Sequence, residues 1–423
     1  MFLAFYRLIW LVILPFYVVF YLYRAATNKE DIRRVLERFG VASERRLQGE
    51  LVWFHAASVG ESLAILPLLE KMNTQLPSVQ VLLTTGTKTS AKLMANRLPS
   101  NAIHQYLPWD FYPFVRLFMK TWQPNVSIFV ESEFWPEALS NAPHPLLINA
   151  RVSDRSFPKY VKYKKCVTPL LQHFEAVLAQ DDITAERLQT LGVKGVINSG
   201  NLKMDAPVAL PNGSDLAALK ETIGARPVWV VSSTHAPEEE MLLPVFETLK
   251  KTIPTLLMIV IPRHPHRGGA VARLYEDAGY QVSRRGTGHT MMRAEDDVYV
   301  ADTIGEVVLW YSLAHIVFMG GSLVPHGGQN PYEPLKYGKV TLCGEHMFNF
   351  KSMMKEFKTR QVILQVNSTE QLTQDLQDIF ASPEEREMAE RHISAQMQGL
   401  GGATSITFEH IKEHLKGWQH GKV

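Results

Sequence analysis

Leu51-Val-Trp-Phe-His55-Ala-Ala-Ser58-Val-Gly-Glu61 runs from a short apolar stretch into a turn of small residues, and apolar positions at helical spacing follow over Ser62–Met72. The pattern predicts a buried strand over Leu51–Phe54, a turn over His55–Glu61 and a helix after it. The unit recurs. Val79–Thr84 leads through Thr85-Gly-Thr-Lys-Thr-Ser90 into another helix. Val126–Val130 ends at Glu131-Ser-Glu-Phe-Trp-Pro136, and Pro145–Asn149 and Ala176–Ala179 continue the series. Strand alternating with helix predicts a parallel sheet covered on both faces.

The series breaks at Ala206–Leu216, where Pro207, Pro211, Asn212, Gly213 and Ser214 read as a linker. It then restarts. Val228–Val231 is followed by Ser232-Ser-Thr-His235, Leu256–Ile261 by Pro262-Arg-His-Pro-His-Arg267, and Val298–Val300 by Ala301-Asp-Thr-Ile-Gly-Glu306. Ile316–Met319 ends in Gly320-Gly-Ser322, and Val340–Cys343 is the last strong strand. The 423 residues exceed one ordinary core. The expectation is an α/β chain of GT-B architecture: two Rossmann-like domains, residues 25–205 and 217–423, facing an interdomain cleft, with a linker over 206–216. Parallel sheets bind ligands at the carboxyl ends of their strands, so the cleft is the expected site.

Residues 1–24 stand apart. From Phe2 to Tyr23 the only charge is Arg7, and aromatic residues crowd both ends. The uninterrupted part, Leu8–Tyr23, gives a helix of roughly 24 Å, somewhat short of a ~30 Å hydrocarbon core, with Pro15 inside it. A membrane anchor helix is expected, either a single span or obliquely inserted. Arg24, Lys29, Arg33, Arg34 and Arg38 follow, which places the body of the protein on the cytoplasmic side.

Composition excludes other classes. Hydrophobic residues at 46% and charged residues at 20% fit a folded protein, and a formal net charge of +2 gives no reason to expect nucleic-acid binding. Cys166 and Cys343 cannot build a disulfide framework and have no zinc-like spacing, so both are expected to be buried thiols.

Polar, glycine-containing segments recur at the predicted strand ends. Glu61 is a carboxylate in a first helical turn, where the helix dipole favours its ionised form; it suits a general base, while position alone favours a plain cap. Glu131 and Glu133 follow an apolar strand and suggest a partly buried carboxylate site, with Arg151 or Arg155 as possible partners. Lys203, in Gly200-Asn-Leu-Lys-Met-Asp205, precedes the linker, where a cation can neutralise a departing phosphate, although taken by itself it reads more readily as a solvated surface lysine. Arg263 and Arg267 with His264 and His266 form a cationic cluster suited to an anion. Gly327-Gly-Gln-Asn-Pro-Tyr-Glu333 enters a helix with Asn330 as cap and Pro331 at its first position, exposing amides that suit a phosphate. Ile304-Gly-Glu306, after an Asp302-Thr303 cap, reads the same way. Neither loop is a Walker A sequence or a strict GxGxxG, which disfavours ATP and NAD. No DxD-like metal site stands out, so no metal or other cofactor is expected.

Taken in order, these motifs resemble the Kdo (3-deoxy-D-manno-octulosonic acid) transferases. The resemblance runs from the anchor to at least Lys351 and takes in His55–Glu61, Glu131–Pro136, Asn149–Ser153, Leu202–Asp205, Ser233–His235, Pro262–Pro265, Asp302–Glu306, Gly320–Leu323, Gly327–Pro331 and Phe348–Lys351. Ala56-Ala57 and Gln329 are small departures. The resemblance implies an inverting, metal-independent transfer from CMP-Kdo to a lipid A disaccharide precursor in lipopolysaccharide core biosynthesis, at the cytoplasmic face of a bacterial inner membrane. It implies Glu61 as base and Glu131 and Lys203 as transition-state stabilisers. It assigns Pro262, Arg263, Ile304, Gly305, Glu306, Asn330, Pro331, Tyr332 and Glu333 to CMP. Two other readings are a GT-B transferase using a UDP-sugar in envelope glycolipid or peptidoglycan synthesis, and a catalytically silent membrane-tethered binding protein.

Overall fold

A computed structural model describes residues 2–27, 29–46, 48–206, 211–286 and 291–419. The chain divides into two compact units, residues 1–207 with 400–423, and residues 208–399.

The first unit is built on seven strands: β1 (Leu51–His55), β2 (Gln80–Thr85), β3 (Ala102–Tyr106), β4 (Val126–Val130), β5 (Pro145–Ala150), β6 (Ala176–Ala179) and β7 (Val196–Asn198). They pair in parallel in the order β3-β2-β1-β4-β5-β6-β7. Winding reverses between β1 and β4, and a doubly wound sheet opens its ligand crevice there. Side chains alternate across a strand, so β1 feeds two cores. Val52 and Phe54 join Ile65, Leu68 and Met72 on one face, while Leu51 and Trp53 join Phe118, Trp122 and Phe129 on the other.

The second unit repeats the plan with β8 (Val228–Thr234), β9 (Leu257–Pro262), β10 (Val282–Arg284), β11 (Val298–Val300), β12 (Ile316–Met319), β13 (Val340–Cys343) and β14 (Leu364–Gln365). Its parallel order is β10-β11-β9-β8-β12-β13-β14, with the reversal between β8 and β12.

Three sequence-based boundaries and one burial expectation need correction. The second domain does not run to residue 423. The helix Ala403–Gln419 returns to the first unit, where Phe408, Ile411 and Leu415 join the core beside the Val59–Gln75 helix. Each large apolar side chain buried in this way contributes about 1.5–3 kcal/mol. The Asp205 carboxylate fixes the return by accepting the amides of Gly402, at 2.7 Å, and Thr404. The linker is shorter than Ala206–Leu216, because Asn212 caps a helix over Gly213–Ile223; residues 207–210 lie outside the described residues. The N-terminal helix runs Phe2–Ala26, past residue 24 and through Pro15. Of the two cysteines only Cys343 is buried, which pushes its thiol up to about 12, and Cys166 is exposed.

Candidate active site

Ser58 sets the first site. Its hydroxyl accepts the Glu61 amide at 3.3 Å, so the helix starts at Val59, three residues before the apolar periodicity alone suggests. The Glu61 carboxylate folds back onto the turn. Its Oε2 accepts the Ala57 amide at 2.8 Å and its Oε1 accepts the Ser58 hydroxyl at 2.7 Å. Position in a first turn favours the ionised form, but burial outweighs it and moves the Glu61 carboxyl above the ordinary glutamate value. The Ser58 hydrogen bond pulls the other way, the charges of Glu133 and Glu131 push further up, and the Ala57 amide pulls down. A positioned carboxylate whose proton affinity is raised suits the role of general base.

Across the winding reversal, β4 delivers Glu131. Its backbone has φ +60°, a left-handed conformation costly for a residue with a Cβ. The turn is held by the Glu131 amide donating to Ile148 and by the Arg151 amide donating to Glu131. Neither Arg151 nor Arg155 pairs with the Glu131 side chain. Lys203 does, with Nζ 2.6 Å from Oε1. Lys203 reaches it from the short helix Leu202–Asp205, whose first amide donates to Asn149 at the end of β5. Asn149 is also left-handed, at φ +48°. Glu133 has a different role from Glu131. Burial would raise its carboxyl, but His55 Nε2 at 3.3 Å and the Trp135 indole at 2.6 Å hold it below the ordinary value. His55, at the end of β1, has no role that its sequence context alone suggests; its Nδ1 lies 3.0 Å from the Thr84 hydroxyl.

In the second unit, the loops after β8 and β12 are joined by a residue that sequence reasoning passed over. Glu238 is fully buried and accepts four backbone amides: His235 at 3.0 Å, Gly321 at 2.5 Å, Ser322 at 2.9 Å and Leu323 at 3.0 Å. Its only sequence signal was an acidic residue in a first helical turn. Gly320 is required there because a Cβ would lie 2.7 Å from Thr234 Cα. Removing the carboxylate strands several buried donors. Glu238→Ala is therefore expected to destabilise this unit by about 3 kcal/mol or more, with Glu238→Gln milder. Urea unfolding followed by circular dichroism checks this, and an unchanged midpoint in the alanine variant would refute it.

Pro262 ends β9 buried, and Arg263 follows it exposed, its amide donating to Thr234 at 3.0 Å. Burial moves the Glu333 carboxyl above the ordinary glutamate value, and the Arg263 charge pulls the other way. The cationic cluster is smaller than its sequence suggests. Arg267 is committed to a bidentate pair with buried Glu239, at 2.8 and 2.9 Å. His235 is the added member: its ring stacks on His326 at 4.5 Å and lies 3.0 Å from Gln329 Nε2. Burial, and then the neighbouring His326, His264, Arg263 and Arg267, hold His235 below the usual imidazole value.

Asn330 accepts the Tyr332 amide at 3.1 Å, and the short helix Tyr332–Lys336 starts after Pro331 rather than on it. In the other loop Ile304 is 87% exposed and Gly305 has φ +92°. Glu306 is not a free carboxylate, since Arg285 grips it at 2.7 and 3.2 Å. Asp302 does not cap a helix; it accepts Arg284 at 2.6 Å and the Gly286 amide at 2.7 Å. Among the described residues no group of three or more His, Cys, Asp or Glu is placed to hold a metal ion.

The chain is similar to known proteins in sequence and in fold. The family model described as 3-deoxy-D-manno-octulosonic-acid transferase (kdotransferase) matches residues 33–206. The 3-deoxy-D-manno-octulosonic acid transferase of Rickettsia bellii is 33% identical over 381 residues, covering 89% of this chain and 90% of that protein. That of Haemophilus influenzae is 34% identical over 371 residues, covering 84% and 85%. The crystal structure of UDP-GlcNAc 2-epimerase from Neisseria meningitidis bound to UDP-GlcNAc is similar in fold, with a TM-score of 0.61 at 13% identity, covering 86% of this chain and 100% of that one. With both units Rossmann-like and the relatives matched nearly end to end, the chain has the GT-B fold and belongs to the 3-deoxy-D-manno-octulosonic acid transferases.

Proposed function

We propose that this transferase moves Kdo from CMP-Kdo to a lipid A disaccharide precursor, without a metal, at the cytoplasmic face of a bacterial inner membrane. Glu61 takes the proton of the acceptor's primary hydroxyl. The oxygen attacks the anomeric carbon of Kdo from the face opposite CMP, the bond from that carbon to the phosphate oxygen breaks, and CMP leaves with the electron pair. The centre inverts through an oxocarbenium-like transition state. Glu131 stabilises the developing positive charge, and Lys203 and Arg263 supply cations for the departing phosphate. On the second unit Pro262, Arg263, the Ile304–Glu306 loop and the Asn330–Glu333 segment hold the nucleotide.

The observation that carries this reading is the Glu61 carboxylate, held by two hydrogen bonds, raised by burial, and within electrostatic reach of Glu131, which Lys203 pairs. Nucleotide competition tests the donor. With purified protein, CMP-Kdo and a tetra-acylated lipid A precursor, CMP should inhibit product formation and UDP should not. Inhibition by UDP with no effect of CMP would favour a UDP-sugar donor, and mass analysis of the product counts the Kdo units added.

A further inference from the structure

The Phe2–Ala26 helix is attached to its own domain along its whole length. Near its start the Tyr6 hydroxyl donates to Asp110 at 2.8 Å, and Arg7 makes a bidentate pair with Glu137 at 2.5 and 3.0 Å. Both acceptors are buried, and Asp110 also takes the amides of Glu137 and Ala138. Midway, the Tyr17 ring meets Trp109 edge-on at 4.8 Å and Tyr21 follows at 5.5 Å. At the end Arg24 pairs with Glu30 at 2.8 Å. Residues 6 and 24 are about 27 Å apart along a helix, close to the full ~30 Å of a hydrocarbon core.

The opposite face is bare. Phe5, Leu8, Val12, Phe16, Val19 and Tyr23 recur at helical spacing and are each more than half exposed. Mean hydropathy over the helix reaches 2.1, so water is a poor solvent for this stripe.

A helix crossing the bilayer while docked in this way would carry Asp110, Glu137 or Glu30, and the domain around them, into the hydrocarbon. Charged groups are costly there and backbone outside helices is not tolerated against lipid. We propose that this helix does not span the membrane: it lies in the plane of the cytoplasmic interface, latched to the domain through Tyr6–Asp110 and Arg7–Glu137, with the Phe5–Tyr23 stripe in the lipid. The placement rests on the reading that the enzyme works at a membrane on a lipid acceptor. It also explains Arg7, the one charge in the apolar run, which is the domain's handle on the helix. The aromatic residues on both faces suit an interfacial depth.

Two measurements on the full chain test it. A cysteine in a short extension before Met1, in a Cys166→Ser background, is exposed to a membrane-impermeant maleimide in spheroplasts. Labelling only after lysis supports the in-plane helix; labelling of intact spheroplasts overturns it. Flotation with phosphatidylethanolamine–phosphatidylglycerol vesicles tests the stripe. The Val12→Asp, Phe16→Asp variant should lose roughly tenfold or more of its vesicle-bound fraction while keeping its fold by circular dichroism. A parent protein that stays out of the vesicle layer defeats the membrane reading itself. If that unbound protein elutes as a dimer that the double variant dissociates, the stripe's occupant is a second copy of the chain, which also overturns the proposal.

Discussion

Glu61→Gln should lower turnover by about 10²- to 10⁴-fold, the range one positioned base supplies, and leave CMP affinity unchanged. The substitution keeps the shape of the site. A glutamine oxygen still accepts the Ala57 amide, and its amide group can donate to the Ser58 hydroxyl that now donates to Glu61. The residues assigned to the nucleotide lie in the other unit. The loss would therefore belong to proton transfer and not to unfolding. A companion variant reads the same group through pH. The active form is the carboxylate, and its proton affinity is raised by burial, so activity falls as pH drops through a value above the ordinary glutamate one. The Ser58 hydrogen bond favours the ionised form. Removing it in Ser58→Ala raises that value again and moves the acid limb of kcat/KM to higher pH, with the alkaline plateau retained. Loss of the cap costs about 1 kcal/mol of stability, small enough for the enzyme to remain folded. Full turnover in the glutamine variant, or superimposable acid limbs for Ser58→Ala and the parent, would remove Glu61 from the role of base.

The fold was legible where local physics dictates it. Val126–Val130, Ala176–Ala179, Val298–Val300 and Ile316–Met319 read as strands to the residue, because interior strands of a parallel sheet are buried on both faces and appear as nearly continuous apolar runs. The strands that were missed, β3, β7, β10 and β14, are the four sheet edges. Ala102-Ile-His-Gln-Tyr106 and Val282-Ser-Arg284 carry polar residues because one side of an edge is unpaired, and Leu364–Gln365 is too short to leave a pattern. The Glu61 turn was legible because a cap and its carboxylate are three residues apart. Partners set by topology were not. Lys203 lies 72 residues from Glu131, and the strand order, not spacing, brings them together, so the nearer Arg151 and Arg155 looked better in sequence. Glu238 serves amides more than eighty residues away, and the final helix packs on a domain the chain left nearly two hundred residues earlier. The left-handed backbones of Glu131 and Asn149 were invisible for the same reason: the surrounding fold imposes them.

The second large effect falls on the Glu131–Lys203 pair. Glu131→Gln and Lys203→Ala should each reduce kcat by about 10²- to 10³-fold, the usual loss when one preorganised electrostatic group is removed from a transition state. Stability is a poor explanation for such losses. The Lys203 side chain is 41% exposed, and a pair open to solvent on one side contributes about 1 kcal/mol or less. The informative measurement is the double variant. At 2.6 Å the carboxylate orients the ammonium and the ammonium neutralises the carboxylate, so either alone is a misplaced charge. The double variant should then lose little more than the worse single one, because residues acting as a unit are not additive. Losses that multiplied would mean that neither group depends on the other for its orientation or charge. Lys203→Arg separates charge from geometry: it keeps the cation but replaces a compact ammonium with a planar fork. If positioning matters as the short contact implies, arginine restores thermal stability and leaves most of the kcat deficit in place.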